Sequence, residues 1–466
     1  MLTILFNYIN MEYIENTENI ENILIIGSGS RETMFIKKLL NDTKSINKNI
    51  NIICLGNNNN PYINKNCTLY IHEKFSKNFF ISFLNNIINN IYKNQIKFAF
   101  IGPELPLKLE FSDMLEERNI PCIGPLSNYA QIETSKIYAR KFIKNIGLNE
   151  YSPLYVILNN TSNVDNIKNN LSNFNKFVIK KDGLCGGKGV FVQGVDFLNK
   201  DDIIDDIYNS IKNNEDILIE DKLIGEEFSL MSITDGNGNI KHFPPIQDYK
   251  RLNEGDIGPN TGGMGCVIDK DNSLPFLNKE DILICENINN IIIDNLNKQG
   301  IQNNNKIGYR GILYGSFIKL HNNKIKIIEF NSRFGDPECL IALSLLKNNL
   351  YNICNEIITG NLNSDLVFDK SAMICVYLVP KNYPHPSKRD VVNINNINDD
   401  IENNIIYGNI EYNDNKLYSL SSRTLIYLKK DQYLEECYSN IYKDILLIKG
   451  DNNLKYRTDI GLKFIK

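Results

Sequence analysis

Three observations predict a multidomain α/β and α+β protein. Short apolar β-type runs alternate with helical patterns early in the chain, β-type runs crowd the middle, and 466 residues suggest about three domains. The expected order is a doubly wound parallel-sheet domain over residues 23–125, a central α+β domain over 126–350, and a small α+β domain over 351–466. A short N-terminal extension, 1–22, precedes them.

The first unit opens on Ile23-Leu24-Ile25-Ile26, which runs into Gly27-Ser28-Gly29-Ser30-Arg31-Glu32. A helical pattern with Met34, Phe35, Ile36, Leu39 and Leu40 follows. Further β-type runs at 50–55 and 98–101, with a helix-like stretch over 79–92 between them, make a parallel sheet the expected product. In the middle unit a helical segment over 129–146 leads to a strand at 177–180 and a second glycine loop. Runs at 189–193, 217–220, 227–234, 311–320 and 324–330 follow, interrupted by a helix over 280–299. The last unit has β-type runs at 372–379, 405–412 and 423–428 and a helix over 432–442.

Composition excludes several classes. Lys plus Arg total 51 and Asp plus Glu 55, so no basic excess points to nucleic acid. Ten cysteines without a CxxC pair read as reduced thiols, and four histidines leave few ligands for zinc. No apolar run approaches the roughly 20 residues that span a bilayer. The first basic residue is Arg31, so residues 1–20 lack the charge of a targeting signal, and Met11 offers an alternative start. The cytosol is the expected setting. Tracts of Asn, Ile and Lys read as surface loops.

Four islands resist that bias. The first glycine loop places N–H groups at a helix start, where phosphate binds well. Glu32 stands where a dinucleotide fingerprint wants a third glycine, and Leu55-Gly56-Asn57 lacks its acid, so a phosphate or ribose-phosphate loop is favoured over NAD. A tight turn remains the plain alternative. The second loop, Lys180-Lys181-Asp182-Gly183-Leu184-Cys185-Gly186-Gly187-Lys188-Gly189, is no P-loop. It suits a lid over ATP phosphates, against the plainer reading of a surface hairpin. In Glu329-Phe330-Asn331-Ser332-Arg333-Phe334-Gly335-Asp336-Pro337-Glu338, strand periodicity puts Glu329 and Asn331 on one face. Two oxygen ligands completed by phosphate and water suit Mg²⁺, and Arg333 is placed for developing negative charge. The alternative is a core strand running into a turn. The fourth island, 247–265, is dense in Gly, Pro, Asp and Lys and reads as a functional loop.

Together these residues resemble the phosphoribosylamine–glycine ligase family of the ATP-grasp superfamily, from Ile23 to the end. Supporting matches are Gly102-Pro103-Glu104, Gly124-Pro125, Ser135-Lys136, Gly225-Glu226-Glu227, the QD-x-KR and GDxGPNTGGMG stretches, and Arg457-Thr458-Asp459-Ile460-Gly461. The resemblance implies a central ATP-grasp domain with its lid over about 150–222. It implies ATP and Mg²⁺ (or Mn²⁺), with glycine and 5-phosphoribosylamine as substrates and a glycyl phosphate between them. Lys136, Lys180, Gly183, Gly186, Gly187, Lys188, Gly189, Glu220, Leu223, Glu227, Arg251 and Asn260 would hold ATP, and Glu329 and Asn331 the metal. Arg333, Asp336 and Lys188 would serve the reacting groups. Gly27, Gly29, Arg31, Asp248, Lys250, Asp256, Pro259, Thr261, Gly262 and Glu338 would line the substrates. The expected partners are small molecules, with no nucleic acid or membrane, and the chain a monomer or weak homo-oligomer.

Departures fall at Thr33, Tyr249 and Tyr407, where the family usually has His, and at Lys181, where a small residue is usual. Two rival readings stand beside the resemblance. One is another ATP-grasp carboxylate–amine ligase or carboxylase; the other is an ATP-binding scaffold without catalysis.

Overall fold

The computed structural model describes residues 20–93, 95–186, 189–386, 388–394 and 397–465. Most of the expected N-terminal extension lies outside them, as do Gly187 and Lys188 of the second loop. The first unit is a parallel sheet in the order Thr68–Ile71, Ile50–Gly56, Glu21–Ile26, Ile96–Ile101, Cys122–Ile123. Strand order reverses between Glu21–Ile26 and Ile96–Ile101, so a crevice opens at their carboxyl ends. Gly27, Arg31 and Glu104 follow those two strands directly. The expected helix over 79–92 forms as Lys77–Phe83 and then widens into a π-helical turn over Leu84–Asn89.

Two antiparallel sheets make the middle of the molecule. One runs Tyr155–Leu158, Ile217–Asp221, Phe177–Lys181, Val190–Val192 and is covered by helices Val164–Ser172 and Ile204–Lys212. The other runs Ile240–His242, Gly225–Asp235, Arg310–Leu320, Ile325–Asn331 and is backed by helix Lys279–Gln302. The single helix expected over 129–146 is two, Ser127–Thr134 and Lys136–Asn145. Ser135 is extended, and its hydroxyl caps the second helix at Tyr138 N.

Two expectations are corrected here. The island 247–265 is not all loop, because Arg251–Asn253 and Ile257–Asn260 pair as a two-stranded ribbon. Its flanks, Gln247–Asp248 and Gly265–Ile268, join the C-terminal sheet beside Ala372–Pro380, Leu425–Asp431 and Ile405–Tyr407. The run at 405–412 splits at Gly408, and Ile410–Asn413 belongs to a separate three-stranded sheet. Among the described residues no helix is long and apolar enough to cross a membrane. All ten cysteines are free.

Candidate active site

The two middle sheets meet along strand Ile325–Asn331, and a bulge decides what that strand shows. Ile327 pairs with Phe317 and Glu329 with Ser316, which leaves Ile328 as an extra residue. Ile325 and Ile327 are buried, and period two continued from them would send Glu329 and Asn331 into the core. Phe330 goes in instead, and the Glu and Asn face outward together. The freed Ile328 carbonyl accepts from Arg140 Nη2 at 2.6 Å and Lys180 Nζ at 3.5 Å.

Those same cations clasp Glu220 on the opposite sheet. Lys180 lies 2.7 Å from one carboxylate oxygen, and Arg140 bonds the other. Burial would raise the Glu220 pKa, yet Arg140 and Lys180 hold it down at about 2. Glu329 differs. Burial also works to raise its pKa, but Lys250, Lys180, Lys136 and Arg333 keep it below the usual value. Among the described residues neither Glu329 nor Asn331 makes a side-chain hydrogen bond or ion pair. A carboxylate and a carboxamide on one face, unspent by the protein, fit a hard divalent cation.

Arg333 is held rigidly beyond them. Its Nη2 lies 3.0 Å from Glu133, its Nε 3.3 Å from Glu104, and its Nη1 donates to Phe334 O at 3.0 Å. Glu133 also accepts from Ser332 N and Oγ, at 2.8 and 2.9 Å. On the lid side Lys136 Nζ donates to Gly183 O at 2.7 Å, while Asp182 accepts from Ser135 Oγ and Ile137 N. Lys181 N donates to Gly189 O at 2.8 Å, which closes the hairpin. Gly183 and Gly186 have positive φ, +87° and +56°. Leu223 sits in the short link between strands Ile217–Asp221 and Gly225–Asp235.

Comparison with known proteins decides the family. Models described as the N, ATP-grasp (A) and C domains of phosphoribosylglycinamide synthetase match residues 21–133, 134–339 and 373–463. A phosphoribosylamine–glycine ligase of Methanococcoides burtonii is 33% identical over 442 residues, 94% of this chain and 96% of that protein. Another from Methanosarcina barkeri is 35% identical over 405 residues, 86% of this chain and 88% of the relative. The chain belongs to the phosphoribosylamine–glycine ligase family.

Solved structures agree on the fold. The phosphoribosylamine–glycine ligase of Thermotoga maritima superposes with a TM-score of 0.73 at 24% identity, over 94% of this chain and all of that one. The biotin carboxylase domain of Hydrogenobacter thermophilus 2-oxoglutarate carboxylase reaches 0.66 at 13% identity, covering 91% and 89%. Fold alone therefore does not separate a ligase from a carboxylase; the sequence family does.

For this ligase-family chain, the first glycine loop departs from the simple picture of open N–H groups. Gly27 N donates to Leu55 O at 2.9 Å, and Gly29 N to the Glu32 carboxylate at 2.6 Å. The two glycines instead make room for Glu32, since a Cβ on Gly27 would run into its side chain and Gly27 has φ +114°. Arg31 supplies the cation, 3.8 Å from Glu104 and 3.2 Å from Phe334 O. Asp336 is engaged by three groups: Ser30 Oγ and Arg423 Nη2 at 2.9 Å, and Tyr377 OH at 2.6 Å. Asp256 pairs with Arg457 at 2.8 Å. Glu338 accepts from Tyr314 OH at 2.7 Å, and Glu227 lies 3.3 Å from Lys250.

Asp248 is half-buried, and its buried Oδ1 lacks any hydrogen-bond partner among the described residues. Burial, reinforced by Glu338, pushes its pKa well up. Thr261 serves the loop itself, accepting from Gly263 N and donating to Lys250 O. The Gly262 and Gly263 carbonyls both accept from Arg423. Asn260 and Pro259 lie on the ribbon. Thr33 and Tyr407, two of the family departures, meet each other: Thr33 Oγ1 donates to Tyr407 O at 3.0 Å, and Asn60 Nδ2 bonds both.

Sequence reasoning assigned no role to Arg140, Glu133, Glu104 or Arg423. Arg140 lies one helical turn past Lys136, a usable signal. Arg423 had none, because nothing in its neighbourhood foretells contact with residues far earlier in the chain.

Proposed function

We propose that the protein joins glycine to 5-phosphoribosylamine at the expense of ATP, giving glycinamide ribonucleotide, ADP and phosphate in purine synthesis. One observation carries the reading. Glu329 is a carboxylate faced by Lys250, Lys180, Lys136 and Arg333, with none of them at bonding distance. Lys180, Lys250 and Arg333 are already paired, with Glu220, with Glu227 and with Glu104 and Glu133. What the site leaves unspent is Glu329 with Asn331 on one face among these cations, and a divalent cation carrying the phosphates of a nucleotide would complete it.

In this reading the γ-phosphoryl group passes from ATP to a glycine carboxylate oxygen. The amine nitrogen of phosphoribosylamine then attacks the acyl carbon, phosphate leaves, and the nitrogen loses a proton. Lys136, Lys180 and Arg251 hold nucleotide phosphates, with Glu220, Leu223, Glu227 and Asn260 around the rest of the nucleotide. Residues 183–189, Lys188 included, close above. Glu329 and Asn331 would hold Mg²⁺ (or Mn²⁺), which when bound neutralises phosphate charge. Arg333, clamped by two glutamates, offers a guanidinium that needs no rearrangement as charge develops. Asp248, Glu338 and Lys250 face the glycine side. Arg31 takes the sugar phosphate, with Gly27 and Gly29 shaping its seat. Asp336 and Asp256 act by holding the loops around the reacting groups, which fits their occupied carboxylates. The ten free thiols suit a cytoplasmic setting.

The test is ADP release measured with ATP, magnesium, glycine and freshly prepared phosphoribosylamine. Release that needs both co-substrates is the expected result. Release supported equally by bicarbonate or another acceptor would assign the site to a different ligase or carboxylase. ATP binding without turnover would make the chain a scaffold.

A further inference from the structure

Arg457 is among the largest fully buried side chains, 1% exposed, although it comes from an irregular segment near the C-terminus. Burying a guanidinium costs several kcal/mol unless its donors are met. Here they are met across about two hundred residues of sequence. Nη1 donates to the Arg251 carbonyl at 2.9 Å and to Asp256 at 2.8 Å. Nε and Nη2 bond the two Asp459 oxygens at 2.8 and 2.7 Å. Asp459 in turn accepts from Gly255 N at 2.8 Å. The guanidinium lies 5.0 Å from the Tyr249 ring centre, and Tyr249 OH accepts from Gly461 N at 3.0 Å.

The contacts beyond its own segment converge on one element, which is otherwise tied by Thr458 to Glu254 and by Leu252 against the core. The ribbon Arg251–Asn253 with Ile257–Asn260 is a separate two-stranded sheet, and such a ribbon is marginal alone. Its turn also needs two consecutive left-handed residues, Gly255 at φ +69° and Asp256 at φ +54°. For aspartate that conformation is unfavourable and persists only when the surroundings hold it. Arg457 holds both the turn, through Asp256, and the first strand, through the Arg251 carbonyl. Next to that strand Lys250 reaches toward Glu227 and Glu329, while the Arg251 guanidinium donates to Gly258 O at 3.0 Å.

We propose that Arg457 is a positioning residue for the ligase reaction, fixing the 251–260 ribbon so that Arg251 stays aimed at the nucleotide phosphates and Lys250 at the glycine side. This rests on the function proposed above. It also accounts for Tyr249 at a position where the family usually has histidine, because the phenol supplies both a ring for the guanidinium and an acceptor for Gly461.

The decisive comparison uses Arg457→Lys, which keeps a positive charge but loses the forked donors. KM for ATP should rise about tenfold, since small misplacements of binding groups cost ten- to a hundredfold. Hydrogen exchange should quicken across 249–260 and stay unchanged in strand Ala372–Pro380. Arg457→Lys combined with Arg251→Ala should cost less than the sum of the two single losses, because the Arg251 side chain that Arg457→Lys would misplace is already gone, while Lys250 is still affected. Additive losses would overturn the proposal, as would unchanged loop exchange or wild-type kinetics in a variant whose loop has loosened. Should Arg457→Lys fail to fold, Asp459→Asn unties the guanidinium from the other side and is read in the same way. If the wild-type chain shows no glycine-dependent ADP release, the functional reading fails. Loop exchange in the variant still decides whether Arg457 orders the ribbon.

Discussion

In the proposed reading the nucleotide half of the site and the acceptor half are built on different plans. On the nucleotide side Lys180, Glu220 and Glu329 stand on strands of two facing sheets, the last beside the bulge at Ile328, with Lys136 at the start of a capped helix. On the acceptor side the same short distances span all three units. Asp336 is touched by Ser30 and Arg423, and Arg333 by Glu104 and Glu133. A local scaffold places these groups through strands, one bulge and a helix cap of a single unit. The acceptor half depends on domain docking, so a change at one contact reaches groups in two other units.

The sharpest break of this contrast is Glu220→Gln. It would leave Arg140 and Lys180 buried beside a neutral amide, and removing one partner of a buried pair costs about 3–5 kcal/mol. Denaturant unfolding should show a loss of that size; a loss under about 1 kcal/mol would mean Glu220 is not structural. Glu329→Ala should do the reverse. With no hydrogen bond or ion pair to lose, only the longer-range attraction of four cations, the midpoint should fall less than for Glu220→Gln while glycine-dependent turnover falls roughly a hundredfold or more. Wild-type turnover in a folded variant would remove Glu329 from the metal site.

Arg31→Ala probes the acceptor half. The phosphoribosylamine KM should rise about tenfold, the worth of a hydrogen bond to a charged group, with KM for ATP and glycine little changed. Equal effects on all three would place the sugar phosphate elsewhere. The smallest effect concerns His242, on the edge strand of the central sheet, whose Nδ1 lies 2.8 Å from Ser232 Oγ. Burial lowers its pKa to about 4, so the folded protein disfavours the charged form. The unfolded chain binds more protons between pH 6.5 and 4, so this contribution is full above 6.5 and lost as pH falls through that window. Unfolding midpoints should drop accordingly, by on the order of 1 kcal/mol, and His242→Gln should flatten the drop. An unchanged slope would mean the ring is not buried neutral.

Much of the scaffold could be read from residue order. The alternation that predicted a parallel sheet rests on Ile23–Ile26 type runs buried on both faces, which is why they read as unbroken apolar stretches. The split at Gly408 had a signal in the Gly408-Asn409 pair, a turn dipeptide between two apolar runs, but that its halves feed two different sheets was not legible. The ribbon inside 247–265 was hidden for another reason. Its composition is that of a loop, and Arg457, some two hundred residues later, bonds its first strand.

Sequence by itself determined the family, the fold class and the chemical character of the site, because these depend on which residue types recur at short spacing. Tertiary structure decided which way those residues face. Glu329 and Asn331 share a face by strand periodicity, but only the bulge at Ile328 makes it the open one. The pattern Ile325, Ile327, Ile328, Phe330 carries the trace of that slip, two apolar residues in a row where alternation should hold. Periodicity is a property of one strand, whereas a bulge exists only against the partner strand it slips past.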